Sequence, residues 1–202
     1  LGASMASDST ARGMQKADDL LHAWKRRYEA LSDGDRTILN DGLIAEVGMA
    51  QRTHATINEA LNLDKQGVLP QQLRQAFDAG NLEEMERLSV IYGPEIARVR
   101  GSNETVKPSL YKQDGTAVAD AELNKARDAL FQHPTLGKFA RELVDVNTKM
   151  LDYLVQSKMK TKADVDKMKL KSTSKNGLIY FPFSEDIGRA SWLKRIGEML
   201  GI

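Results

Sequence analysis

The residue types that carry most protein chemistry are scarce in this chain of 202 residues. It has no Cys, and its three His stand far apart at positions 22, 54 and 133. Without Cys there are no disulfides, no thiolate metal sites and no thiol nucleophiles. None of His22, His54 and His133 falls in an H-E-x-x-H or similar spacing, so structural or solvent-exposed roles are expected for them and a zinc site is not. Acidic pairs occur at Asp18-Asp19, Glu83-Glu84 and Glu185-Asp186. Glycosidase-type chemistry needs two carboxylates across a cleft, or one whose pKa is raised by burial. These pairs instead lie at helix starts and on solvated faces, where the helix dipole favours negative charge. The glycine-rich phosphate loops and the G-x-S-x-G nucleophile turn are absent. The expectation is a non-enzyme with no catalytic, cofactor-binding or metal-binding residue; an enzyme with an unrecognised site is the remaining alternative.

Three other groupings could bind rather than react. Seven lysines, Lys158, Lys160, Lys162, Lys167, Lys169, Lys171 and Lys175, stand against only Asp164 and Asp166, a net +5 in 18 residues. Such density can grip phosphates through counterion release. The segment has no Arg and no aromatic to stack on bases or read them, so it reads either as a solvated helix or as a weak, salt-sensitive nucleic-acid contact. The aromatic stretch Tyr180-Phe181-Pro182-Phe183 reads as extended, because Pro182 disfavours helix at Phe181. It either lies on the helical core or docks a larger assembly. Near the N-terminus, Met14, Ala17, Leu21, Trp24, Tyr28 and Leu31 follow a 3-4-3-4-3 spacing, a heptad seam. It packs within its own domain, or Leu21, Trp24 and Tyr28 offer it to a partner helix.

These groups must be positioned by helices. The spacing predicts helices at 9–31, 35–60 (with a break near Gly48 or Thr53), 70–79 and 81–99, the last interrupted at Gly93-Pro94 with Met85, Leu88 and Ile91 facing inward. Helices are expected again at 119–132, with Leu123, Ala126, Ala129, Leu130 and Phe131 inward, and at 135–158. That second one, capped by Thr135, is expected to be the longest. Thr161 with Asp164 resembles a capping box opening a helix over 162–170. Residues 172–177 read as polar loop, and Ser184 caps a last helix at 185–200. The stretch 101–118, with Gly101, Asn103, Pro108 and Asp114-Gly115, breaks the pattern and reads as a linker or a small hairpin. It divides the chain into an N-terminal helical subdomain, 1–100, and a C-terminal one, 119–202. The fold class expected is all-α, a multi-helix bundle with room for one small hairpin or extended segment.

Composition agrees with this. The chain is 41% hydrophobic and 28% charged, with 15 Gly and 5 Pro, and its length can bury a core without metal or disulfide staples. The formal net charge of +1 lacks the electrostatic signature of a nucleic-acid binder. It is nevertheless a cancellation: residues 1–100 carry 12 basic and 15 acidic side chains, residues 101–202 carry 17 and 13. No signal peptide is legible. The longest near-apolar run, Gly177 to Phe183, is too short to span a membrane. Leu1 in place of an initiator Met suggests a piece of a longer protein.

The order of parts in the second half resembles a known family. A long apolar-periodic helix (Leu136 to Met159) leads to a short Thr-capped helix (Thr161 to Leu170). A polar loop, the extended motif Ile179-Tyr180-Phe181-Pro182-Phe183 before Ser184, and a further helix follow. This is similar to helical segments of the very large internal virion proteins of tailed phages, which are packaged in the head and ejected with the genome. Related segments recur in large multidomain proteins of mobile elements. Leu31-Ser32-Asp33-Gly34-Asp35-Arg36-Thr37-Ile38-Leu39 resembles a helix start common in them. The Pro motif of the family is often followed closely by Arg, whereas here Ser184-Glu185 follows and Arg189 is the nearest. The lytic transglycosylase domain of some members has no counterpart. The resemblance implies a structural or ejection-associated module, in the virion or in the host cytoplasm after ejection, and carries over no catalytic residue. Implied partners are other segments of the parent protein, other virion proteins or a second copy, with DNA through the lysines as the alternative.

Overall fold

The computed structural model describes residues 15, 19–65, 67, 70–99, 116–156, 158 and 160–178. Over these the chain is all-α, with a helical stretch at 19–29 (α1) followed by α2 (Asp33–Asp64), α3 (Gln71–Asp78), α4 (Leu82–Val99), α5 (Asp120–Phe131), α6 (Leu136–Gln156) and α7 (Lys162–Ser172). Single-residue bridges occur at Ala117 and Thr173, with no strand among the described residues. The hairpin or linker expected at 101–118 lies almost wholly outside the described residues, as does the last helix expected at 185–200.

The helix ends follow local chemistry. Ser32 caps α2, its hydroxyl accepting the Asp35 N–H. Asn81 caps α4 through the Glu84 N–H. Thr161 and Asp164 form a reciprocal capping box at α7. After α3 the chain turns at Gly80, φ +63. The Asn81 N–H reaches the Ala76 carbonyl and the Gly80 N–H the Phe77 carbonyl, a Schellman closure that a left-handed residue makes possible.

Several expectations need correction. α2 runs unbroken through Gly48 and Thr53, and with 32 residues it, not α6 with 21, is the longest of the described helices. Its core-facing stripe continues on both sides of those positions, and packing outweighs their weak propensity. α4 likewise continues through Gly93-Pro94. Pro94 removes one donor, the partner of the Val90 carbonyl, on the side where Val90 is exposed, while Met85, Leu88 and Ile96 hold the opposite face in the core. Ile91, expected inward, is 53% exposed, because the buried stripe passes through Met85, Ser89, Gly93 and Ile96. Ala129 is exposed too, since Arg127 occupies the inner position between Leu123 and Leu130. Thr135 does not cap α6. His133 does: its Nδ1 accepts the Leu136 N–H and its carbonyl the Gly137 N–H, leaving Pro134 at the next position, where a missing N–H costs nothing.

Two main cores result. Trp24, Tyr28, Leu39 and Leu43 pack with Leu130, Leu136, Phe139, Leu143 and Leu178, so segments from both sides of the 101–118 stretch share one core. Ile57, Leu73, Ala76, Met85, Leu88 and Ile96 form the second, among α2, α3 and α4. α2 runs through both. At Gly42 it approaches α5 so closely that a methyl group would overlap Leu130.

Candidate functional site

α2 presents Leu39, Leu43, Glu46, Ala50, Thr53, Ile57 and Ala60 in a 4-3-4-3-4-3 stripe, and all are buried. A carboxylate therefore sits where the pattern calls for an apolar side chain, and Glu46 is 0% exposed. The neighbouring helix makes the matching substitution, with Arg127 in the stripe between Leu123 and Leu130 at 1% exposure. α4 contributes Glu86, beside the buried Met85 and Ser89. A buried charge is tolerable only if paired and hydrogen-bonded, and these three meet each other.

Arg127 donates from its two terminal nitrogens to the two oxygens of Glu86, at 2.7 and 2.8 Å, and from one of them also to Asn124 Oδ1 at 2.6 Å. Its Nε lies 3.6 Å from Glu46 Oε2 and makes no hydrogen bond. Glu46 in turn accepts the Asn176 backbone N–H at 3.0 Å and the Asn176 side-chain amide at 2.9 Å. Lys175 Nζ stands 3.8 Å from Glu86 Oε1. Burial alone would pull the Arg127 pKa down; the bonds to Glu86 and the fields of Glu86, Glu46 and Asp128 outweigh it, and the guanidinium is held more firmly charged than usual. This bidentate fork is a geometry that Arg offers and Lys does not.

The segment after α7 is thereby fixed to the bundle, where the sequence reading has only a polar loop. His54 Nε2 lies 2.8 Å from the Thr173 carbonyl. A carbonyl only accepts, so Nε2 carries the proton. Burial lowers the His54 pKa, and the bond to Thr173 offsets part of that. The Ser174 N–H donates to the Leu178 carbonyl, Ser174 Oγ accepts the Leu178 N–H, and the turn closes at Gly177, φ +84. Nearby, Arg52 pairs with Asp120 and leaves one buried terminal nitrogen with no hydrogen bond in the chain. Chemically, both oxygens of Glu46 and of Glu86 are engaged as acceptors. That arrangement holds helices together.

The residues singled out from sequence fall elsewhere. Trp24 and Tyr28 are buried, at 3% and 5% exposure, and Leu21 is half-buried. The Trp24 ring stacks on Phe139 at 4.6 Å and on Tyr28 at 5.7 Å, and its N–H donates to the Phe139 carbonyl. The structure therefore takes these two side chains into the chain's own core, not onto a surface. Tyr180, Phe181 and Phe183 lie outside the described residues. Lys158, Lys160, Lys162 and Lys167 are exposed, Lys169 and Lys175 are half-buried, and the Lys171 side chain is outside the description. Lys162 pairs with Asp166, Asp164 lies in the field of Lys160 and Lys167, and Lys175 faces Glu86. The seven are thus not one open basic face. Of the His, His22 is exposed, His54 buried and His133 a cap. Among the described residues no group of three or more His, Asp or Glu could hold a metal ion, and no helix is long and apolar enough to cross a membrane.

No family model, no curated protein and no solved structure matches this chain.

Proposed function

We propose that the chain is a non-enzymatic helical structural and interaction module of a larger phage virion or mobile-element protein, associated with assembly or genome ejection. The observation that carries the structural part is the wiring of its buried charges. Glu46, Glu86 and Arg127 tie α2, α4, α5 and the 173–178 turn to one another. Groups that could have been general acids or anion ligands are used as internal fasteners. The virion setting rests on the resemblance of the Thr-capped helix and the aromatic-Pro motif. Quantitative peptide mass spectrometry of purified particles of the encoding element tests it. Peptides of this chain recovered in particles, and lost from them after ejection, support the reading; peptides confined to the soluble fraction of the producing cells overturn it.

The alternative, a nucleic-acid contact through the Lys-rich segment, draws on the exposure of Lys158, Lys160, Lys162 and Lys167. Asp164 and Asp166, both exposed on α7, halve the charge of those four. Phosphate binding there would be weak and strongly salt-dependent.

A further inference from the structure

The large exposed hydrophobics among the described residues, Val90, Ile91 and Val99, all lie on α4, at 48%, 53% and 40% exposure. Pro94 between them is exposed as well. The opposite face of α4 is core. At about 100° per residue Val90 and Val99 lie to opposite sides of Ile91, so Ile91, with Pro94 about 60° from it, is the apolar centre of the outward face. The charges before and after Ile91 are ordered. Counting from Ile91, Glu84 and Arg87 lie seven and four residues before it, and Glu95 and Arg98 lie four and seven residues after it. At about 100° per residue, all five fall within about 40° of one line along the helix. The sequence of signs along that line is minus, plus, apolar, minus, plus. Arg87, Glu95 and Arg98 are exposed, and Glu84 is half-buried and bonded to Arg87.

This line is complementary to its own reverse. If a second α4 is laid antiparallel on the first, with a two-fold axis at Ile91, the Arg87 of each copy faces a Glu95, and the Glu84 of each faces an Arg98. Ile91 meets Ile91, with Pro94 to its side. A parallel pairing would set like charges opposite each other along the whole line. An isologous contact of this kind needs one self-complementary patch and closes at two copies.

We infer that the outer face of α4 is a homodimer surface, in which two copies of this chain pair α4 against α4 antiparallel about Ile91. The inference rests on the interaction-module reading and names its partner as a second copy. The Glu84–Arg87 bond within each helix persists in such a pair, because a carboxylate can accept from both guanidinium groups. The charges give the register, and Ile91 gives the apolar contact at the centre.

Sedimentation velocity over a concentration series is the test. The expected result is a rise from the monomer mass toward twice that value, which Ile91→Lys abolishes while leaving the helical circular dichroism and the unfolding midpoint unchanged. Two charge-swapped variants make the test independent of any single side chain. The face with Arg87→Glu and Arg98→Glu is all acidic, and the face with Glu84→Lys and Glu95→Lys is all basic. Each is expected to be monomeric alone, and the two to form a heterodimer when mixed. Because the chain has no Cys, single cysteines report the register. Ile91→Cys is expected to form a disulfide-linked dimer on mild oxidation, whereas Arg98→Cys, about 21 Å from its symmetry mate at 1.5 Å per residue, is not. A chain that stays monomeric throughout, a dimer that survives Ile91→Lys, or cross-linking at Arg98→Cys without Ile91→Cys would overturn the inference. None of these outcomes bears on whether the chain is particle-borne, which the peptide measurement decides separately.

Discussion

Single residues in this protein depart from the helix pattern where the structure most depends on them. Glu46 and Arg127 occupy apolar stripe positions, at 0% and 1% exposure. The clue was present in the sequence: charged side chains at stripe positions, Glu46 between Leu43 and Ala50 and Arg127 between Leu123 and Leu130. Sequence reading seeks adjacent acids and clustered lysines, and these partners lie 81 residues apart in the chain (127 − 46), so no spacing links them. His54 is a second such residue. Its folded pKa is lowered from 6.5 by burial, so below that value the unfolded chain binds a proton that the folded chain resists. Its contribution is full above pH 6.5 and declines as pH falls from there through the lowered folded value. Urea midpoints at about pH 7.5 and about pH 5 should differ in wild type, with the lower pH less stable, and that difference should shrink in His54→Gln. A midpoint unaffected by pH would show that the ring is not shielded. Gly42 gives the third prediction. A methyl group there overlaps Leu130, a buried core side chain. Gly42→Ala is therefore expected to destabilise by about 1–3 kcal/mol through overpacking, despite the better helix propensity of Ala, and chemical denaturation measures it.

At the scale of elements, periodicity and capping chemistry were legible to within a few residues. The Thr161–Asp164 box, the Asn81 cap and the Pro-Gly bounded α3 all stand where the sequence places them. The breaks placed at Gly48, Thr53 and Gly93-Pro94 were not there, because breaker residues act locally while a continuous buried stripe acts over the whole helix. The α6 cap was missed for a different reason: imidazole is not among the usual cap side chains, yet His133 Nδ1 accepts the Leu136 N–H. His133→Ala should cost about 1 kcal/mol of stability, and His133→Asn, which restores an acceptor, should recover most of it. Equal loss in both variants would mean that the ring packs and does not cap. Leu143, 1% exposed on the inner face of α6, should cost about 2–5 kcal/mol when changed to Ala. The half-buried Leu154 should cost less, a ranking that thermal melts can check.

For the whole molecule, the sequence announced helices but not how they join. It marked 101–118 as a boundary, and the cores show α1, α2, α5 and α6 packed together across it. The heptad seam, open to two readings in the sequence, is spent on that packing through Trp24 and Tyr28. The 173–178 turn, legible as polar only up to Gly177, is held by Glu46 and by the Leu178 side chain in the core. Non-local pairings of this kind leave no trace in local periodicity. They are the centre of the account: Arg127 holds Glu86 directly and Glu46 by proximity, and through them three helices and the turn. Equilibrium urea unfolding of Arg127→Met tests it most directly, since the change keeps the stem but leaves the buried Glu46 and the half-buried Glu86 without their shared guanidinium. The expected result is a loss of about 3–5 kcal/mol, largely recovered when Glu46 and Glu86 are also replaced by Leu and Met, as for other buried ion networks exchanged for apolar side chains. An Arg127→Met protein with the wild-type midpoint and slope would contradict the account.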